Sequence, residues 1–300
     1  MIHLIIEACS KHFFVILFTF VGILERKVID MGLKGDKMGR SIAIVSGKGG
    51  VGKTTLTMGL GMALAKKGAS VCLIDLDIGL NNLDILMNVE NKIIYDLSDC
   101  AEGKCRLKEA LVRDPILQNL YILPSQKSQK EDCDYLAIKK IIERLSGVFD
   151  FVLIDAPAGV NQNFNVAINS AHEAIVVVSP HISSIRDADK VIGILKGLNM
   201  QNIFALVNRI RGDMVERKEM LSHAQIKDLL KVPLLGVLPE SDDINIYSSF
   251  HFEKLAKGEI HEALSILANN LRSDKKYVYD YTAKYRGFFG MIRRNLKRNL

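Results

Sequence analysis

Seven short apolar runs punctuate the chain, at residues 41–46, 70–76, 121–124, 151–155, 174–179, 203–208 and 234–238. They show little polar alternation, the pattern of strands buried on both faces rather than strands with one face in water. Between most of them, apolar residues recur at helical period, over 54–67, 134–145, 185–198 and 224–230. Strand and helix therefore alternate. The pattern predicts an α/β fold, a doubly wound, mostly parallel sheet with helices on both faces. In such a sheet, ligands bind beyond the carboxyl ends of the strands. The polar residues that close each run thus become the candidates for chemistry. No internal repeat or low-complexity tract interrupts the pattern.

Both ends of the chain depart from it. Residues 13–24 are apolar but number only twelve, spanning roughly 18 Å of helix against a hydrocarbon core of about 30 Å. Glu7 precedes this stretch, no small-x-small cleavage site follows, and Met31 and Met38 stand just before the first strand. We read residues 1–39 as a mis-set start or a dispensable extension. Residues 40–272 form the body. Residues 273–284 are polar and tyrosine-rich and read as a linker. Over 285–300, Tyr285, Phe288, Phe289, Ile292 and Leu296 fall on one helical face, while Arg286, Arg293, Arg294, Lys297 and Arg298 take other positions. That helix is too short and too charged to span a bilayer, but suits one lying in an anionic membrane surface.

Charge sharpens this division. The net charge is +6, yet eight basic residues and one acid lie from Lys275 onward, which leaves −1 for the first 274 residues. A nearly neutral body lacks the basic face expected of a nucleic-acid binder, so no nucleic acid is expected as partner. The five cysteines are scattered. Cys100 and Cys105 are the one close pair, and they complete no metal-ligand spacing. They read as reduced thiols of a cytosolic protein.

The chemistry begins after the first run. Gly47, Lys48, Gly49, Gly50, Val51, Gly52, Lys53, Thr54 and Thr55 contain G-x-x-x-x-G-K-T between a strand and a helix. This is the phosphate-cradling P-loop, whose backbone N–H groups and following helix dipole receive an anion. Lys53 is expected to reach the β- and γ-phosphates of ATP, and the Thr54 hydroxyl to ligate Mg²⁺. Asp75 and Asp77 close the second run, where an acid can hold Mg²⁺ through water or orient an attacking water; Asp84 reads as a helix N-cap. Asp155, after four apolar residues and before Ala156-Pro157-Ala158-Gly159, fits a Walker B acid supporting Mg²⁺. Asn208, Pro239 and Glu240 close the sixth and seventh runs as strand-end turn residues.

The extra lysine in KGGVGKTT, Lys48, resembles the deviant Walker A box of the ParA/MinD ATPases. Residues 75–84 match that class's D-x-D-x-G-L-x-N-L-D pattern, and D-A-P-A-G with the basic amphipathic end resembles its septum-site-determining branch. The resemblance runs from about Arg40 to Leu300 and omits the first 39 residues. It implies an ATPase in which Lys48 crosses an ATP-sandwiched homodimer to the partner's phosphates and is catalytic with Lys53 and Asp77. Asp77 positions water, and Asn208, Pro239 and Glu240 line the adenine. Asn82, Ser183, Arg186 and Asp187 would form the dimer or partner face, although Asn81 replaces the branch's usual arginine. The implied life of the protein is cytoplasmic and peripheral at the inner face of the cell membrane, with a MinC-like division inhibitor as cargo and a MinE-like activator of hydrolysis. A flagellar-number regulator, a DNA-partitioning ATPase and a nucleotide-gated scaffold without turnover are the alternatives that share the P-loop.

Overall fold

The computed structural model describes residues 38–77, 82–125, 135–241, 258–273, 276–287 and 290. Residues 1–37 lie outside these, and so do Phe288, Phe289, Ile292, Arg293, Arg294, Leu296 and Lys297 of the expected membrane helix.

The strands are β1 (Arg40–Val45), β2 (Val71–Asp75), β3 (Val112–Arg113), β4 (Leu120–Leu123), β5 (Phe151–Asp155), β6 (Glu173–Val178), β7 (Asn202–Ile210) and β8 (Leu234–Pro239). They form one sheet in the order β3-β4-β2-β5-β1-β6-β7-β8. Every pairing is parallel except β3 with β4. All seven apolar runs are strands of this sheet. The additional strand, β3, is two residues long, too short to show a period. The predicted helices appear as α1 (Lys53–Lys66), α5 (Tyr135–Ser146), α7 (Ile182–Gly197) and α9 (His223–Leu230). Among the described residues the structure adds α2 (Asn82–Leu86), α3 (Leu97–Ala101), α4 (Leu107–Ala110), α6 (Gln162–Ser170), α8 (Gly212–Glu216) and α10 (Glu259–Arg272).

Alternate residues of the buried strands feed opposite cores. Ala43 and Val45 of β1 join Ile142, Phe164, Val191 and Leu230 on the face covered by α5, α6, α7 and α9. Ile42 and Ile44 join Leu56, Leu60, Leu264 and Leu267 on the face covered by α1 and α10. Each such side chain contributes about 1.5–3 kcal/mol by leaving water. The α1 helix is buried around much of its circumference because it lies between the sheet and α10. In α10, Ile260, Leu264, Leu267 and Leu271 form a single apolar stripe. Its acids Glu259 and Glu262 sit in the first turn and Arg272 in the last, matching the helix dipole.

Two expectations change. Residues 276–285 are a strap packed on the body and not a free linker. Tyr281 is 5% exposed and its hydroxyl lies 2.8 Å from His223 Nδ1. Tyr285, expected on the membrane face, is 3% exposed, in a 3-10 turn (Ala283–Tyr285) that packs on α8. The physical reason is that tyrosine rings carry as much apolar area as a core residue, so a tyrosine-rich segment gains by docking. The other change concerns Asp84, which lies inside the first turn of α2 rather than at an N-cap.

Asn270 fixes the strap. Fully buried, it donates from Nδ2 to the carbonyls of Leu235 and Tyr277, both at 2.7 Å, and accepts from Tyr277 N at 2.9 Å. Asn270→Leu leaves the buried Leu235 carbonyl and the part-buried backbone groups of Tyr277 without these partners. We expect it to destabilise the fold by about 2–4 kcal/mol, read as a lower midpoint in urea titration. An unchanged midpoint would show that the strap contributes nothing to the body.

Candidate nucleotide site

The sheet order places the site. β1 lies between β5 and β6, and the chain moves away from it in opposite directions, so a crevice opens beyond its carboxyl end. The P-loop leaves β1 there. Gly52, the last residue before α1, has φ 92°, and a Cβ on it would stand 2.5 Å from Asn208 Nδ2. Both the left-handed conformation and the close approach therefore require glycine. Asn208 is buried and donates to the Val51 carbonyl at 2.7 Å, which ties the end of β7 to the loop.

The two lysines of the loop face different ways. Lys53 is 7% exposed, and its Nζ donates to Ser46 Oγ at 3.1 Å, while that hydroxyl donates to the Lys48 carbonyl at 2.8 Å. Burial lowers the Lys53 pKa, opposed by the charges of Asp155 and Asp77. The Lys48 side chain is exposed.

Parallel register brings Asp75 and Asp155 side by side at the ends of β2 and β5. Both are 1% exposed. Burial pushes Asp75 up to about 7, helped by Asp155 and opposed by hydrogen bonds from the backbone N–H groups of Asp77 and Leu83. Burial likewise pushes Asp155 up to about 6, against the hydrogen bond from Thr54 and the charge of Lys53. Thr57 Oγ1 also donates to Asp155, at 3.4 Å. Asp77 is half-buried, and burial raises its pKa against the charge of Lys53. The sequence marked Asp75 only jointly with Asp77, as acids closing the second run, and gave Asp75 no role of its own; the structure makes it the last residue of β2.

A hydroxyl and a carboxylate in contact, Thr54 with Asp155, form a hard-oxygen donor pair suited to Mg²⁺. Beyond them, a pocket is lined by Gly52, Thr55, Asn208, Pro239, Glu240 and Ile260. This gathers the expected base-side residues into one cavity and adds the α10 face, which the strand pattern did not reach because α10 follows the last strand. Asn82 opens α2. Asp187 lies beside the P-loop, since a Cβ on Gly47 would stand 2.4 Å from its carbonyl oxygen. Ser183 and Arg186 are exposed on the same first turns of α7. His181 is the N-cap of α7, without a side-chain bond, and Ser184 Oγ accepts from Ser179 N at 3.0 Å.

Residues 42–252 match the CobQ/CobB/MinD/ParA nucleotide binding domain. The septum site-determining protein MinD of Synechocystis is 40% identical over 270 residues, covering 86% of this chain and 99% of the relative. The MinD of Bacillus subtilis is 44% identical over 222 residues, covering 73% and 82%. The chain belongs to the MinD septum-site-determining ATPases. Among solved structures, MinD in the MinC:MinD complex of Aquifex aeolicus aligns with TM-score 0.73 at 40% identity, over 80% of this chain and 100% of that one. MinD of Pyrococcus horikoshii, complexed with Mg-ADP, aligns with TM-score 0.70 at 32% identity, over 78% and 96%. Membership of the MinD family makes the chain a nucleotide-binding ATPase of cell division, and the oxygen donors described above suit the magnesium that accompanies nucleotide in that family.

The raised carboxyls dictate a pH dependence. Between the ordinary carboxylate range and about pH 7, the folded nucleotide-free protein binds more protons at Asp75 and Asp155 than the unfolded chain does. Their contribution to stability is therefore retained at low pH and lost as pH rises through that window. Melting temperatures of wild type and Asp155→Asn, compared between about pH 4 and about pH 7.5, should show a shallower loss in the variant. Identical profiles would mean that the pair ionises freely.

Proposed function

We propose that this protein is an ATP-timed membrane switch that positions the division site. ATP brings two copies face to face, the paired C-terminal helices hold the dimer on an anionic membrane, and a MinC-like inhibitor is carried there. A MinE-like activator then triggers hydrolysis, and the copies separate and leave. The observation that carries this reading is the split between the loop's lysines. Lys53 is buried against its own strand, while Lys48 projects outward from the same loop. An outward cation beside a phosphate cradle is placed to reach a facing copy's phosphates, as an arginine finger does.

Other surfaces support the face-to-face arrangement. The loop after Asp155 returns to the start of the P-loop, Gly159 N donating to the Ser46 carbonyl at 3.2 Å, and Asp187 crowds Gly47. Exposed Val160 and Ile182, with Ser183 and Arg186, lie next to these contacts in the chain and supply apolar area for a partner. In the catalytic step Lys53 and the loop N–H groups would hold the phosphates. Asp77 would orient the water that attacks the γ-phosphorus, and Thr54 with Asp155 would hold Mg²⁺, which neutralises the charge that builds on the phosphate oxygens. No described helix is long and apolar enough to cross a membrane. The membrane contact is therefore assigned to the basic, amphipathic end, now starting after Tyr285. One such helix binds weakly; two held together act by avidity.

Lys48→Ala should still bind ATP but fail to dimerise, with activated turnover down about 10²-fold or more. Analytical ultracentrifugation with ATP and a phosphate-release assay check this, and a stable ATP dimer with normal turnover overturns the cross-dimer role. Phe289→Glu should lose pelleting with anionic liposomes while keeping the ATP dimer. Equal pelleting of the wild type in ATP and ADP would refute nucleotide gating.

A further inference from the structure

The α3 helix ends in a backbone reversal that its sequence builds deliberately. Gly103 takes φ 74°, its N–H donates to the Cys100 carbonyl at 3.2 Å, and the N–H of Lys104 donates to the Asp99 carbonyl at 2.8 Å. This pair of bonds is the Schellman ending of a helix, in which a left-handed glycine turns the chain back over its last turn. The turn is held at both ends. Asp96 caps α3 with a reciprocal capping box, and at the start of α4 the Glu109 carboxylate accepts from the Arg106 backbone N–H at 2.8 Å and from its Nε at 3.1 Å. The residue thrown back by the turn is Cys105, and its Sγ comes to rest 3.2 Å from Cys100 Sγ. Both residues are half-buried rather than enclosed in the core, and their sulfurs touch each other.

We propose that Cys100 and Cys105 form a reversible thiol–disulfide modification site whose co-substrate is a low-molecular-weight disulfide such as oxidised glutathione. The Cys105 thiolate attacks one sulfur of the small disulfide. A protein–glutathione bond forms and one glutathione thiolate leaves to take a proton. Cys100 then gives its proton to water and attacks Cys105 Sγ, expelling the second glutathione thiolate. Two protein thiols are oxidised, one glutathione disulfide is reduced to two thiols, and the reverse exchange restores the pair.

The order of events follows from the surroundings. Burial, the Cys105 sulfur, and the charges of Asp96 and Asp99 push the Cys100 thiol up to about 12, so it is held protonated and the first attack falls to Cys105. Because Cys100 resists ionisation, the disulfide is favoured once formed, since the Cys100 thiolate it would release is poorly stabilised. Cys72 cannot compete, since it is fully buried and burial raises its thiol strongly. The closed bond would staple the end of α3, which packs against α5 and is tied by Leu97 N to the Pro124 carbonyl just past β4.

The test is to incubate the full-length chain with glutathione at defined oxidised-to-reduced ratios, alkylate, digest with trypsin without reduction, and identify peptides by mass. Cleavage after Lys104 and Arg106 should yield Ile93–Lys104 cross-linked to Cys105–Arg106, and dithiothreitol should separate them. The oxidised protein should melt roughly 2–6 °C higher, and Cys105→Ser should lose both effects. Gly103→Val keeps both thiols but disfavours the left-handed turn, so cross-linking should slow about threefold or more. A glutathione adduct that never resolves to the cross-link overturns the proposal, as does preferential bonding to Cys9 or Cys133. Equal rates in Gly103→Val would overturn the turn-built geometry.

Discussion

The rest of the structure is arranged around one crowded set of charges. Three carboxyl groups, Asp75, Asp77 and Asp155, share the carboxyl edge of the sheet with one buried ammonium, Lys53. In water such groups would be indifferent neighbours. Here burial makes each of them costly to charge, and adjacent strands force Asp75 and Asp155 together. Lys53 and the acids offset one another only in part, since burial still lowers the lysine and raises the carboxyls. A magnesium-bound nucleotide would add a cation for the acids and an anion for the lysine.

Everything around this cluster keeps it from relaxing. The parallel sheet, buried on both faces, cannot slip in register without turning every apolar side chain to the wrong core. Gly52 cannot be replaced without a Cβ meeting Asn208 in a left-handed conformation that side chains rarely adopt. The cavity beyond the P-loop joins β7, β8 and α10, and Asn270 on α10 holds the strap that leads to the C-terminal end. Nucleotide pocket and tail are thus anchored on the same helix. The chain that leads to the tail helix of our proposal is fixed to the body and is not a loose tether, since Tyr281 and Tyr285 are buried.

Much of this was legible from residue order. The apolar runs announced the parallel sheet because strands buried on both faces have no polar face to show. The P-loop announced the phosphate site because its glycines, lysine and threonine follow from close backbone approach to an anion. Strand-end position alone brought Asp77, Asp155, Asn208 and Glu240 under attention. Less legible were elements whose signal is weak or shared with another state. The two-residue strand β3 has no period, and α6 is rich in amides that read as loop. The segment carrying Tyr277, Tyr279, Tyr281 and Tyr285 has the composition of a linker but the apolar area of a core element.

The sequence by itself determined which chemical groups the protein owns and the order in which strands deliver them, because both are local properties of residue type and period. Tertiary structure alone decided their company. It set Asp75 against Asp155 across two strands far apart in the chain, turned Lys53 inward and Lys48 outward from one loop, and folded Cys105 back onto Cys100. Those outcomes depend on register, burial and the hand of a single glycine, which are distances in space that no spacing along the chain encodes.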